Sequence, residues 1–194
     1  MTVVITKSAS ITAMDSTPLV EVTSGEGISG FMKTVNDSVT GVVGDSIASI
    51  YRFVRFPTTA KVKRVYFALF TVSTAGAGDI DIAFSDSTVD GTPQSLATLA
   101  NPVVQVTGPV DNKMFGAAQT FTALTKSPPT DVTFANTFLA AHQNLPLWQV
   151  FVNLGATQFT ADPGGYFDLV IKLTTALTVT AGVVSMELDY VQGP

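Results

Sequence analysis

Tyr166-Phe-Asp-Leu-Val-Ile-Lys-Leu173 and Val183-Val-Ser-Met-Glu-Leu-Asp-Tyr-Val191 decide the fold class. In the first run Phe167, Leu169, Ile171 and Leu173 fall on one side, and Asp168 and Lys172 on the other. In the second, Val184, Met186, Leu188 and Tyr190 alternate with Ser185, Glu187 and Asp189. Successive side chains of a strand point to opposite faces, so a period of two predicts sheets with one apolar and one polar face. The turn signal Asp162-Pro163-Gly164-Gly165 introduces the first run.

The same reading extends toward the N-terminus. Asp79–Phe84 places Ile80, Ile82 and Phe84 on one face, with Asp79 and Asp81 toward solvent; Asp90-Gly91-Thr92-Pro93 then marks a turn. Tyr51–Phe56 and Val62–Val72 flank Pro57-Thr58-Thr59-Ala60. The latter run is nearly continuously apolar after Arg64, as in a strand covered on both faces. Leu147–Leu154 reads as a further strand with Trp148, Val150, Val152 and Leu154 on one face. Val103–Thr107 and Gln119–Leu124 are weaker strand candidates, in a region broken by Pro102, Gly108-Pro109 and Pro128-Pro129. The helix candidate is Thr133–His142, capped by Thr133 or Asp131 and limited by Pro146, with Phe134, Phe138 and Ala141 on one face. Strands with Gly/Pro turns and one short helix predict an all-β antiparallel β-sandwich, with the jelly roll among its variants. Residues 1–40 are Ser/Thr/Gly-rich and predict an extended N-terminal arm, carrying short strands near Val3–Ile5 and Leu19–Val22. Residues 41–194 form the sandwich domain, and no internal repeat is evident.

The chain has no Cys, one His and one Trp, against 27 Thr and 25 Val. Cys, His and activated carboxylates carry most nucleophilic, acid–base and metal chemistry. This composition predicts a structural or binding protein that is not an enzyme and uses no cofactor. Charged residues make up 13% of the chain, well under the roughly 25% of ordinary soluble domains. Much of the surface is then expected to lie against other chains, in a homo-oligomer; a monomer with a Thr-rich surface is the plainer alternative. The formal charge of −5 argues against nucleic-acid binding, which rests on cationic contacts to phosphate. Residues 1–22 lack the basic stretch and apolar run of a targeting signal, and no apolar stretch is long enough to span a membrane.

Five of the ten basic residues are Arg52, Arg55, Lys61, Lys63 and Arg64. They read as a basic edge that docks on an acidic partner, or as charges that guard an edge strand. The arm, residues 1–30, is a second candidate interface. Asp79, Asp81, Asp86 and Asp90 lie close together, as hard-cation ligands do, but match no EF-hand spacing; no metal site is assigned. His142 stands alone, without a nucleophile's partners. Gly25, Gly27 and Gly30 match a dinucleotide-binding spacing without its βαβ context and read as loop. Trp148, Tyr166, Phe167 and Tyr190 could form a sugar platform, but Trp148 and Phe167 fit inward strand positions better.

Gly44-Asp45 leading to Tyr51-Arg52, the strand Lys61–Phe70, Asp79–Phe84 followed by Asp90-Gly91-Thr92, Leu147-Trp148, and the final Thr/Val-rich strands ending Asp189-Tyr190-Val191 carry a resemblance. Over roughly residues 41–194 the chain resembles the small β-rich virion proteins of tailed bacteriophages, of the capsid decoration (cement) type. The resemblance implies a protein of the capsid surface, often a trimer. Its partner would be the major capsid protein or another virion protein, and it would stabilise contacts between capsomers. It brings no catalytic residues, and the arm matches less well. The alternatives are another virion component, such as a jelly-roll shell subunit or a tail or fibre protein, and a carbohydrate- or cell-surface-binding β-sandwich module.

Overall fold

Two strands from the end of the chain sit at the middle of two sheets. The computed structural model describes residues 5–9, 12, 32–71, 76–85, 113–121, 129–154, 160–177 and 182–192. In chain order the strands are β1 (Ile5–Lys7), β2 (Met32–Thr40), β3 (Ile50–Pro57), β4 (Ala60–Thr71), β5 (Ala77–Ser85), β6 (Gly116–Thr120), β7 (Thr130–Asp131), β8 (Tyr166–Thr175) and β9 (Val183–Gln192). One sheet has the order β1-β3-β8-β5-β6 and the other β2-β9-β4-β7. Every pairing is antiparallel except β1 with β3. The protein is therefore an all-β sandwich.

The period-two runs do what their pattern requires. Phe167, Leu169, Ile171 and Leu173 of β8 are buried, as are Val184, Met186, Leu188 and Tyr190 of β9. They meet Tyr51, Val54 and Phe56 of β3, Ile80 and Ile82 of β5, and Val62, Val65, Phe67 and Leu69 of β4 in one hydrophobic core. Aromatic rings fill its centre: Phe56 lies 5.9 Å from Tyr190 and Phe151 lies 5.1 Å from Phe167, centroid to centroid. Tilted pairs at this spacing suit the ring quadrupoles.

The chain changes sheets at Thr58-Thr59, between β3 and β4. That corner is tied down from two sides. The Thr58 hydroxyl donates to Asp162 Oδ1 at 2.6 Å, its amide donates to Gly165 O, and its carbonyl accepts the Trp148 amide.

Four expectations change. Residues 133–142 are not a helix: Asp131 Oδ1 accepts both the amide and the hydroxyl of Thr133, a cap-like turn, but the Thr133 hydroxyl also accepts the Val65 amide of β4 at 2.8 Å. The turn thus fastens a loop to the sheet, and a short 3₁₀ turn follows at Ala140–Asn144. Leu147–Asn153 is not a strand but a helix, α1, entered through Pro146. Its buried residues are Leu147, Val150 and Phe151, at helical spacing, while Val152 is exposed. A short apolar run fits both periods, and here a proline at the helix entrance decided it. Residues 32–40, assigned on sequence to the arm, form a nine-residue strand paired with β9 along its whole length. The strand expected over Gln119–Leu124 begins earlier, at Gly116. Val103–Thr107 and most of residues 1–31 lie outside the described residues.

Candidate interaction surfaces

The basic residues divide into two groups. Arg52 and Arg55 lie on β3 facing away from the core, Arg55 opposite Asp168 of β8 and Arg52 opposite Val170 across a bulge, with both guanidiniums reaching Asp168. Arg52 and Asp168 are both 0% exposed. Asp168 Oδ2 accepts Arg52 Nε at 2.7 Å and Arg52 Nη2, and Oδ1 accepts Arg55 Nε at 2.9 Å. One carboxylate thus holds two guanidiniums in a charge-assisted cluster. These two arginines bind the sheet together and present no charge at its edge. Lys61, Lys63 and Arg64, on β4, reach the surface. Lys63 Nζ donates to Gln143 O at 2.7 Å and to Asn144 Oδ1, and Gln143 returns its amide to Lys63 O. Arg64 is exposed and donates to the Tyr66 hydroxyl at 3.2 Å, which holds its guanidinium pKa above the usual value. The five residues are not brought together into one basic edge.

Asp79 and Asp81 are buried rather than solvent-facing. Asp79 Oδ1 accepts the Ala118 amide of β6 at 2.7 Å, with Lys113 Nζ 3.7 Å from its other oxygen, and Asp81 Oδ1 accepts the Ile82 amide. Their oxygens serve the sheet. Asp86 and Asp90, like Gly25, Gly27 and Gly30, lie outside the described residues. Among the described residues no three His, Cys, Asp or Glu side chains are grouped as metal ligands would be, and no helix is long and apolar enough to cross a membrane.

His142 is buried beside Phe138, ring centroids 5.5 Å apart. Its Nδ1 accepts the Leu139 amide at 3.1 Å, and burial lowers its pKa. It closes the 3₁₀ turn. Trp148 is half-buried on α1, Phe167 and Tyr190 are in the core, and only Tyr166 of that aromatic set is open. They form no common platform.

What the sequence did not single out as an interaction surface is the loop between β2 and β3. Val42, Val43 and Ile47 are 58%, 49% and 60% exposed, yet the backbone that carries them is fixed. Asp45, itself buried, accepts the Val42 amide and the Tyr51 hydroxyl on Oδ2, at 2.9 and 2.7 Å. Its amide donates to Val42 O, and its carbonyl accepts the Leu177 amide. Gly44 donates to Leu177 O and Ala48 to Leu173 O, with Gly44 and Ala48 at positive φ. Burial and the Asp45 carboxylate hold the Tyr51 phenol protonated, far above its usual range. Gly41 is required beneath the loop: a Cβ there would sit 2.4 Å from Leu177 Cδ1 and 2.6 Å from the Tyr51 hydroxyl oxygen. The result is a rigid tip with apolar side chains pointing into water. Single exposed apolar residues are ordinary, and three of them within six residues of one fixed loop make that loop the candidate contact surface. The signal in the sequence was the Val42-Val43 pair set between Gly41 and Gly44-Asp45.

No protein-family model matches the chain, and no curated protein matches it. Among solved structures, the chain is similar to one described as the cyanophage Pam1 capsid asymmetric unit, at 17% identity and a TM-score of 0.37, over 92% of this chain and 96% of that one.

Proposed function

We propose that this chain is a phage virion structural protein that acts by docking on other protein chains, and specifically a decoration protein seated on the outer face of the capsid. The observation that carries the proposal is the fixed apolar tip of Val42, Val43 and Ile47. A loop already held by main-chain bonds loses little entropy when its side chains are covered. About half of each side chain remains to be buried, worth about 1 kcal/mol apiece. One copy would bind weakly through this tip, and a shell that takes many identical copies sums such contacts. The strand patterns that resemble phage decoration proteins support the virion assignment. The likeness to the Pam1 capsid chain is too slight to add weight. Lys61, Lys63 and Arg64 offer positive charge for orientation on an acidic shell. The role is one of contact, and no catalytic step belongs to it.

The test is cosedimentation with shells assembled from the major capsid protein of the same virus. The wild type should pellet with shells, and Val42→Asp with Ile47→Asp should lose binding while keeping the wild-type circular dichroism. Lys61→Glu with Lys63→Glu should weaken binding at low salt more than at high salt. Wild type left in the supernatant, or a tip variant that binds unchanged, refutes the assignment.

A further inference from the structure

β2 is the edge of its sheet, nine residues long, and among the described residues no strand pairs with its far side. Its alternate residues Met32, Thr34, Asn36, Ser38 and Thr40 are exposed. The direction of its main chain can be read from two bonds. The Asp37 carbonyl accepts the Ser185 hydroxyl of β9, and the Gly41 amide just past the strand donates to Gly182 O. Odd-numbered residues therefore turn their main-chain groups toward β9, and Thr34 and Asn36 turn theirs outward. An edge of this length is a template for another strand.

We infer that β2 pairs antiparallel with β2 of a second copy, about a two-fold axis at Val35. This register is chosen by charge. It sets Lys33 opposite the partner's Asp37 and, by symmetry, Asp37 opposite the partner's Lys33. Val35 meets its own counterpart, and Thr34 meets Asn36. Thr34 and Asn36 are the residues with outward main-chain groups, so they exchange the N–H···O=C bonds across the axis. Lys33 and Asp37 then occupy the non-hydrogen-bonded positions, where side chains approach most closely. Shifting the partner by two residues keeps the backbone bonds but places Lys33 opposite Val39 and Asp37 opposite Val35, losing both ion pairs. A self-complementary edge of this kind is what an isologous dimer needs. The two four-stranded sheets become one of eight, and the tips of Val42, Val43 and Ile47 are presented in pairs.

Sedimentation equilibrium across a concentration series tests the pairing without any capsid, so its failure is separate from failure of the decoration role. The wild type should show an even number of chains. Lys33→Asp alone and Asp37→Lys alone each set like charges opposite twice and should weaken association about tenfold or more. Combining the two substitutions restores the opposition and should recover it. Asn36→Pro removes an outward N–H that β9 does not use, a position where an edge strand accepts proline. It should give a folded monomer. A wild type that is monomeric or trimeric at 100 µM on the order of working concentrations overturns the inference, as do single charge reversals without effect.

Discussion

Asp168→Asn isolates the cluster on the outer side of β3 and β8. The substitution keeps the shape of the side chain and removes its charge. In the wild type both oxygens are engaged, Oδ2 by Arg52 Nε and Nη2 and Oδ1 by Arg55 Nε, with Arg55 Nη2 a further 3.3 Å from Oδ2. The carboxylate and Arg52 are fully buried and Arg55 nearly so, so water cannot replace the lost charge. An amide offers one acceptor oxygen, and its NH₂ faces donors. Removing one partner of a buried ion pair costs about 3–5 kcal/mol, because the remaining charge is left in low dielectric. That is a large share of the roughly 5–15 kcal/mol by which a domain is stable, and it lowers Tm by roughly 6–20 °C for a chain of this size. Urea unfolding followed by circular dichroism would measure it, in low and in high salt. A buried cluster is screened little, so the loss should be nearly the same in both. A change below about 1 kcal/mol, or one that disappears in high salt, would refute the reading of Asp168 as the organising charge of this sheet.

Tyr51→Phe deprives the buried Asp45 carboxylate of a donor and should cost about 1.5–3 kcal/mol. Because the Tyr51 phenol titrates above its usual value of 10, the unfolded chain releases that proton first. Stability should therefore fall as pH rises past about 10, and less steeply in Tyr51→Phe. The His142 pKa lies below its usual 6.5, so the unfolded chain takes up the proton more readily and stability should fall as pH drops below about 6.5. His142→Asn, which keeps an acceptor for the Leu139 amide without a titrating ring, should flatten that part of the pH profile. Gly78→Ala would put a Cβ 2.3 Å from Ile171 Cγ2 and 3.1 Å from Lys172 O. Forcing β5 from β8 in this way should cost about 1–3 kcal/mol in chemical unfolding, and wild-type stability would show that the sheet yields there.

β8 and β9 were legible because each sets an apolar side chain at every second position and that set lies in the core, although β8 is also covered on its other face at Asp168 and Val170. The alternation located Asp168, Asp79 and Asp81 on the correct side of their strands but not their burial. Polarity reports which face a residue occupies, and the fate of that face depends on what lies over it. Arg52 and Arg55 were counted as a surface cluster because they are near Lys61 in sequence. Their real partner, Asp168, is more than a hundred positions away, and cross-strand register is not written in one sequence. β2 was passed over because an edge strand needs few apolar residues; Val35 and Val39 alone give little alternation. Leu147–Asn153 misled for the opposite reason: too many apolar residues satisfy both periods. The apolar tip escaped notice because a valine pair in a valine-rich chain reads as strand.

The placement of β8 and β9 also dictates when this protein can fold. β8 lies between β3 and β5, and β9 between β2 and β4. Ile50 pairs with Lys172, and Ala60 with Gln192. The strand that joins the halves of each sheet is therefore synthesised after every strand it pairs with, and none of those earlier strands closes the sheet without it. Such distant pairings make for slow folding, because the long loops must close before any contact rewards them. A chain cut short before Tyr166 would carry β3 and β4 with no middle strand between their neighbours. β8 and β9 thus act as a completion check, because a chain cut short before them lacks the strand that joins each sheet.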